Sequence, residues 1–146
     1  MEIMLKAVFG AIFLLAQLSG PGGSLPQILQ TDFKPVSPIK AGIRGEVAVT
    51  FMALQGYAVD RTLPFTLNLT PVAGVTLAKT ELKASPDDPK AKDQYYVDLP
   101  VIKVPVTAAK PGKYEIPGKL TYFFCSKKDG FCSRQMLAVK MPVVAQ

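Results

Sequence analysis

Hydrophobic and polar residues alternate along most of the chain after residue 42, which is the periodicity of β-strands with one buried face. In EVAVTFMAL (46–54), for example, Val47, Val49 and Phe51 share one face, and Thr50 lies on the other. Five later segments alternate in the same way: FTLNLT (65–70), GVTLAK (74–79), VIKVPVTA (101–108), KLTYFFC (119–125) and CSRQMLAVKMPVV (132–144). The pattern therefore predicts a chain built from short strands.

Turn-forming sequences rich in Pro, Gly and Asp separate these segments: LQGYAVDRTLP (54–64), TPVAG (70–74), ASPDDPKAKD (84–93), AAKPGKYEIPG (108–118) and KKDG (127–130). Short strands joined by such turns are typical of an all-β sandwich or barrel, with Pro105 and Pro142 at edges or bulges. The longest polar stretch, SPDDPKAKDQYY (85–96), is predicted to be a surface loop in which Asp87 and Asp88 form a solvated turn.

The first 24 residues have the organisation of a signal peptide. MEIMLK ends in a lysine, AVFGAIFLLAQL (7–18) is an apolar run, and SGPGGS (19–24) supplies small residues for cleavage. The run is shorter than the roughly 20 residues that span a bilayer, and no later segment is apolar enough to cross one. We expect residues 1–24 to be a cleaved signal, 25–41 an N-terminal extension and 42–146 the domain, located in the periplasm or otherwise exported.

Composition narrows the chemistry that this chain can perform. Its 146 residues suffice for one domain with a core, and 49% apolar against 19% charged residues exclude a disordered chain. The net charge of +6 comes from dispersed lysines and arginines without an aromatic stripe, so nucleic acid is not an expected partner. The chain has no histidine, which excludes Ser-His-Asp and Cys-His catalysis and imidazole metal sites.

The only two cysteines, Cys125 and Cys132, lie in YFFCSKKDGFCSRQ (122–135). KKDG suits a four-residue hairpin connection with Gly130 in the left-handed conformation. That register pairs Ser126 with Phe131 and the two cysteines with each other. Directly opposed residues have Cβ atoms about 4.5–5.5 Å apart, close to disulfide spacing, and export favours oxidation.

Alternation also predicts where the sulfurs point. Phe124 is expected to face the core, whereas Cys125 points to the opposite, more polar face. Cys132 shares that face with Arg134. A disulfide here closes a ring of about eight residues and contributes about 2.5 kcal/mol in the chain-entropy model. From the residues alone, an accessible redox pair and a purely structural hairpin disulfide both remain open.

The cysteine hairpin resembles that of the N-terminal periplasmic domains of the thiol:disulfide interchange protein DsbD. GKLTYFFCSKKDGFCSRQMLAVKMPV (118–143) is similar to that family's strand, cysteine, short turn, second cysteine and return strand. GYAVDRTLPFTLNLTPVAGVTLAK (56–79) resembles the family's first half, so the likeness covers residues 36 to 145. It implies an immunoglobulin-like antiparallel β-sandwich. Because the chain ends at Gln146, without the membrane and thioredoxin-like domains of DsbD, it implies a stand-alone module.

The resemblance further implies a redox role for the cysteines. In that family they carry electrons between a membrane-embedded partner and periplasmic thioredoxin-like proteins, without a cofactor. By position, Cys125 and Cys132 would be the redox pair, with Cys132 forming the mixed disulfides. The expected partners are therefore thioredoxin-like or membrane-embedded thiol:disulfide proteins.

Members of the family also cover their cysteines with a cap loop that carries an acidic residue and aromatics. The similar sequence DQYY supplies Asp93, Tyr95 and Tyr96 as candidate cap residues, although a tyrosine pair at a strand edge would also pack on the sheet. Phe123 and Phe131, next to the cysteines, are further candidates for partner binding.

Three functions compete on these observations. The preferred one is thiol:disulfide exchange through Cys125 and Cys132, with no metal or organic cofactor. The second is a non-catalytic β-sandwich that binds a protein or envelope component and uses the disulfide only as a staple. The third is a Cu(I) site formed by the two cysteines with Met136 or Met141.

Overall fold

The alternating segments form strands because each buries one of its two faces, and the computed structural model, which describes residues 25–146, contains nine of them in that range. They are β1 (Leu29–Pro35), β2 (Gly45–Ala53), β3 (Tyr57–Val59), β4 (Thr66–Leu69), β5 (Val75–Leu77), β6 (Glu81–Lys83), β7 (Ile102–Ala108), β8 (Gly112–Ser126) and β9 (Cys132–Ala145). The predicted signal peptide, residues 1–24, lies outside the described residues. Between residues 25 and 146, no helix has the length and apolarity that crossing a bilayer requires.

The strands form two antiparallel sheets. Sheet A has the order β1-β2-β7-β5, and sheet B contains β3, β4, β6, β8 and β9. β9 pairs with β8 continuously along one edge. β3 and β4 therefore share the other edge of β8, with β4 opposite residues 118–121 and β3 opposite residues 124–126. The fold is an immunoglobulin-like antiparallel β-sandwich with a cysteine-bearing C-terminal hairpin, as predicted.

The hydrophobic core lies between the inner faces of the two sheets. Sheet A contributes the alternating residues that the sequence pattern identified, such as Val47, Val49 and Val104, all buried. Sheet B contributes the largest fully buried side chains, Tyr122 and Phe124. The predicted strand faces are therefore confirmed for β2, β7 and β8.

Three strands, β1, β3 and β6, and the first half of β8 were not predicted. β3 lies within the stretch 54–64, whose glycine and proline resemble a turn, and β6 has a single apolar residue, Leu82, between two charged ones. Residues 112–118 belong to β8, although their glycines and Pro117 resemble a turn. The carbonyl of Pro117 points towards β4 and accepts a hydrogen bond from the Thr70 amide (2.8 Å). Its nitrogen points to the same side, so the missing N–H removes no hydrogen bond from the pairing of β8 with β9.

The predicted domain boundary at residue 42 is wrong. β1 pairs with β2 over its whole length, so residues 29–35 are an edge strand of sheet A. Ile28, Leu29 and Ile39 are buried in the core. The segment predicted to be an N-terminal extension is therefore part of the sandwich, because its few apolar residues fill the space at the edge between the sheets.

Candidate functional site

The cysteine hairpin has the predicted register. Cys125 pairs with Cys132, and the ladder continues without a bulge through Ser133. The Ser126 amide donates to the Phe131 carbonyl (2.8 Å), and the Gly130 amide donates to the Ser126 carbonyl (2.9 Å). Gly130 has a φ of 71°, the left-handed conformation that glycine adopts without a steric penalty.

The two cysteines form a disulfide but differ in exposure. Their Cα atoms are 4.0 Å apart, the short spacing of a pair that exchanges no backbone hydrogen bonds. Cys125 is only 6% exposed, whereas Cys132 is an exposed residue. Alternation predicted that both cysteines lie on the face away from the core, as they do, but the accessibility expected from that position is wrong for Cys125, because another part of the chain covers it.

That cover is the segment of residues 93–97, which we call the cap segment. It lies along the edge of β3 that β8 leaves free. The Tyr96 amide donates to the Val59 carbonyl (3.0 Å), and an isolated antiparallel bridge joins Tyr95 to Asp60. β3 in turn pairs with β8, setting Ala58 opposite Cys125. The cap segment is thus held two strand spacings from the sulfurs.

A cavity of about 470 Å³ lies between the cap segment and the hairpin. Pairing and alternation put Tyr95, Val97 and Ala58 on the outer face of sheet B, the same face as Cys125. These four residues line the cavity together with Asp93, Tyr96, Ser126, Lys127 and Gly130. The sulfur of the buried cysteine therefore lies beside a space that one acidic and one basic side chain also border.

The two candidate tyrosines of the cap have different environments. Tyr95 is partly exposed and forms a wall of the cavity. Tyr96 is buried in the core, where its ring meets that of Phe65 edge-on at 6.3 Å and its hydroxyl donates to the Ser85 carbonyl (2.6 Å). Burial raises the pKa of Tyr96. Tyr96 therefore anchors the cap segment, and Tyr95 faces the site.

The remaining predicted residues lie around the hairpin tip. Asp93 accepts a hydrogen bond from the Tyr95 amide (2.9 Å) through its carboxylate and one from the Arg61 guanidinium (2.7 Å) through its carbonyl. Phe123 is half-buried on the outer face, and its carbonyl accepts from the Asp60 amide (2.9 Å). Phe131 lies on the opposite face from the sulfurs and packs edge-on against Phe124.

Asp88 organises the loop that ends in the cap segment, which the sequence did not indicate. Predicted to be a solvated turn residue, it is buried and accepts hydrogen bonds from three amides, those of Lys90 (3.0 Å), Val97 (2.7 Å) and Asp98 (2.9 Å). Burial opposes the charge, but these donors, helped by Arg61, outweigh it and lower the pKa of Asp88. Only its position between two prolines in a long loop could have suggested such a role.

Gln135 connects the hairpin to the start of β1. Its amide oxygen accepts from the Ile28 amide (2.9 Å) and from the Tyr122 hydroxyl, and its amide nitrogen donates to the Pro26 carbonyl (2.9 Å). The Tyr122 hydroxyl also accepts from the Leu29 amide (3.1 Å). Burial raises the pKa of Tyr122. This network lies on the inner face and fixes the tip of the hairpin against the N-terminal strand.

One of the two methionines proposed as a Cu(I) ligand, Met141, is excluded by its position. Met141 is fully buried on the inner face of β9, so it cannot reach the disulfide on the outer face. Met136 is exposed on the outer face. Within residues 25–146 there is no group of three or more histidine, cysteine or acidic side chains arranged to hold a metal ion.

Fold and site together define the class of this protein as an immunoglobulin-like β-sandwich with a disulfide across the tip of its C-terminal hairpin. No protein-family model matches the sequence, and no curated protein matches it. Among solved structures, a cohesin module from a family 33 glycoside hydrolase of Clostridium perfringens ATCC13124 is similar, with 10% identity, coverage of 82% of this chain and 98% of that chain, and a TM-score of 0.38. At those values the likeness says nothing about function.

Proposed function

We propose that this protein is a thiol:disulfide exchange module that passes electrons between redox partners through Cys125 and Cys132. The observation that carries the proposal is the asymmetry of the pair, an exposed Cys132 bonded to a Cys125 that is 6% exposed. An exchange site needs one sulfur that a partner can reach and a second that is sheltered from competing thiols. A purely structural disulfide requires neither an exposed sulfur nor a cavity beside it.

The proposed reaction is a pair of thiolate substitutions at sulfur. In the reduced protein, the Cys132 thiolate attacks a partner disulfide, a Cys132–partner disulfide forms, and one partner cysteine leaves as a thiolate. The Cys125 thiolate then attacks the Cys132 sulfur and restores the intramolecular disulfide, and the other partner cysteine leaves as a thiolate. Two electrons pass to the partner, which is reduced, and the protein is oxidised.

The surroundings of the pair support this division of roles. Lys127 borders the cavity beside Cys125 and its ammonium attracts a thiolate, while the Asp93 carboxylate across the cavity repels one. Tyr95 restricts the approach of a second molecule to Cys125. A partner therefore meets Cys132 first, and the mixed disulfide is resolved from inside the protein.

The proposal extends to partners and location. The resemblance of the hairpin to DsbD N-terminal domains favours thioredoxin-like or membrane-embedded thiol:disulfide proteins as partners. It also favours a periplasmic or otherwise exported protein, since a labile disulfide operates in such compartments. The residues themselves supply the reacting sulfurs, so the reaction as written uses no cofactor.

The test is the reduction potential of the pair in the purified protein, equilibrated against glutathione and dithiothreitol buffers. We expect a value well above about −300 mV, the range of labile disulfides. Partners would then be trapped with a Cys125→Ala variant, which forms mixed disulfides through Cys132 and cannot resolve them. A potential below that range, with thiols that react only after unfolding, would overturn the proposal and leave a binding module with a structural disulfide.

A further inference from the structure

Among residues 25–146, no strand pairs with the middle of the outer edge of β9. The hairpin shows which β9 residues direct their backbone groups to that edge, because hydrogen-bonded and non-hydrogen-bonded pairs alternate along the ladder. The Ser126–Phe131 pair is hydrogen-bonded, so the Cys125–Cys132 pair is not, and the two kinds alternate along the unbroken ladder. The carbonyl of Phe123, which points to the Asp60 amide and away from β9, agrees with this assignment. The amides and carbonyls of four β9 residues therefore point outward from sheet B: Arg134, Met136, Ala138 and Lys140.

In the described part of the chain, no second strand pairs with this edge between residues 134 and 140, and the Arg134 carbonyl accepts only a long hydrogen bond from the neighbouring Ser133 hydroxyl (3.5 Å). At one end, the Gln135 side chain fastens the segment before β1. At the other, Ile39 forms a bridge with Ala145. The part near that bridge carries Lys140 and Pro142 at outward positions, two residues that prevent edge-to-edge pairing. The stretch 134–138, which adjoins the exposed Cys132, has no such proline.

The charges of β9 favour an acidic strand as the partner of this edge. The strand contains Arg134 and Lys140 and no acidic residue, and Lys119 lies beside Ala138 on the same outer face. A second copy of the strand would bring two basic strands together in any register, and in the antiparallel register centred on Leu137 it would set Arg134 directly against Lys140, a like-charge pair that destabilises a strand pair. A strand with acidic side chains would instead be attracted.

An exposed apolar side chain marks the centre of the same stretch. Met136 is 53% exposed, and it lies between Arg134 and Ala138 on the outer face. Methionine adapts its shape to different partners and is frequent in surfaces that bind several of them. Outward backbone groups, a positive charge and an adaptable side chain thus occur together within four residues of the exposed cysteine.

We propose that an extended, acidic segment of the redox partner adds to sheet B as a further strand along residues 134–138 of β9. Main-chain hydrogen bonds would supply the affinity, and side-chain contacts with Arg134 and Met136 would supply the selectivity. The pairing would hold the partner's cysteine next to Cys132, where the substitution described above takes place. This inference rests on the proposed exchange function, because it assigns the recognition step of that reaction.

The experiment measures how fast reduced peptides reduce the Cys125–Cys132 disulfide in protein expressed from the full chain. One peptide has glutamate and threonine alternating on both sides of a single cysteine, and the other has lysine in place of glutamate. Dithiothreitol is the small-molecule comparison. We expect the acidic peptide to react about ten-fold faster than the lysine peptide at low salt, with the difference shrinking as salt is added.

The Ala138→Pro variant tests the strand pairing itself. It removes an outward amide that makes no hydrogen bond to any residue from 25 to 146, and Pro142 shows that the same strand tolerates a proline at an outward position. We expect the acidic peptide to react about ten-fold more slowly, because main-chain hydrogen bonds are lost, and dithiothreitol to react at an unchanged rate. The matched control Ala138→Ser keeps this amide and should change neither rate.

If Ala138→Pro lowers the stability of the protein, a second variant tests the inference through the charge of the edge instead. Arg134→Glu should reverse the preference, so that the lysine peptide becomes the faster one. If dithiothreitol reduces the folded protein but both variants behave as wild type, the strand inference is overturned and the exchange function stands. If dithiothreitol cannot reduce the folded protein, the exchange function fails and this inference with it. A dimer that Ala138→Pro dissociates would overturn the inference in favour of a second copy.

Discussion

The stem and the tip of the β8–β9 hairpin belong to the same two strands but are packed differently. In the stem, burial alternates as the sequence does, with Ile116 and Leu120 buried and Glu115 and Lys119 exposed. At the tip, residues 124–126 are buried in succession. The stem is therefore covered on one face, whereas the end of β8 is covered on both.

The cause of the difference is what lies on the outer face. Along the stem that face meets solvent, and its charged side chains keep their hydration. At the tip, β3 pairs with β8, the cap segment pairs with β3, and the two segments together enclose Cys125. Cys132, directly opposite on β9, is exposed, and no strand within residues 25–146 pairs with its outer edge. A difference in reactivity between two bonded cysteines thus arises from packing and not from their local sequence.

The largest expected effect concerns the stem. Ile116→Ala removes a fully buried side chain from the inner face and should lower the free energy of unfolding by about 3 kcal/mol. Lys119→Ala, on the exposed outer face, should change it by less than about 0.5 kcal/mol. Urea denaturation of the two variants checks both values. Equal losses would mean that the stem is not packed on one face only.

The tip is tested through the two thiols separately. Cys125→Ser leaves Cys132 free, and Cys132→Ser leaves Cys125 free. We expect the Cys132 thiol to react with an aromatic disulfide reagent about a hundred-fold faster, since the Cys125 thiol must wait for local opening. The two should react at similar rates in guanidinium chloride. Similar rates in the folded proteins would contradict the asymmetry on which the exchange proposal depends.

A smaller effect is expected from the wall of the cavity. In the Cys132→Ser background, Tyr95→Ala should raise the reaction rate of the Cys125 thiol about ten-fold, because it removes the side chain that borders the cavity. Tyr95→Phe keeps the ring and serves as the matched control, with a rate close to that of the parent. If the alanine variant also reacts at the parent rate, the cap segment does not shelter Cys125.

The smallest effect is expected at Asp88, which holds the end of the cap segment through the Val97 amide. Asp88→Asn replaces one acceptor oxygen by a donor facing amides, and should lower Tm by about 5 °C at neutral pH. The fold lowers the pKa of Asp88 below its ordinary value of 3.8, so its contribution is present above that pH and is lost as the pH falls through the folded pKa.

The Tm difference between wild type and Asp88→Asn should therefore shrink below about pH 4. Thermal unfolding followed by circular dichroism from neutral to acidic pH measures this difference. A gap that stays constant through that range would show that the carboxylate charge has no part in holding the loop.

Much of the fold could be predicted from the alternation of residues. β2, β4, β5, β7, β9 and the cysteine part of β8 were identified because each lies in a segment that alternates between apolar and polar residues. β3 was not, because its three residues lie in a stretch with Gly56 and Pro64 that resembles a turn, and β6 was not, because it has one apolar residue between two charged ones. β1 was missed because its polar sequence is held by pairing with β2 and not by its own pattern.

The candidate site divides in the same way. The sequence by itself determined the hairpin, its turn at Gly130 and the pairing of Cys125 with Cys132, since these depend on neighbours a few residues apart. Only the tertiary structure decided that Cys125 is covered, that Tyr96 is a core residue while Tyr95 faces the cavity, and that Asp88 fixes the cap segment. The positions of Cys125 and of the two tyrosines depend on contacts between segments about 30 residues apart or more, such as the cap segment with β3 and β3 with β8, and no local pattern encodes such contacts. The hydrogen bonds of Asp88 reach residues only 2 to 10 positions away, but they form within an irregular loop, which has no period to read.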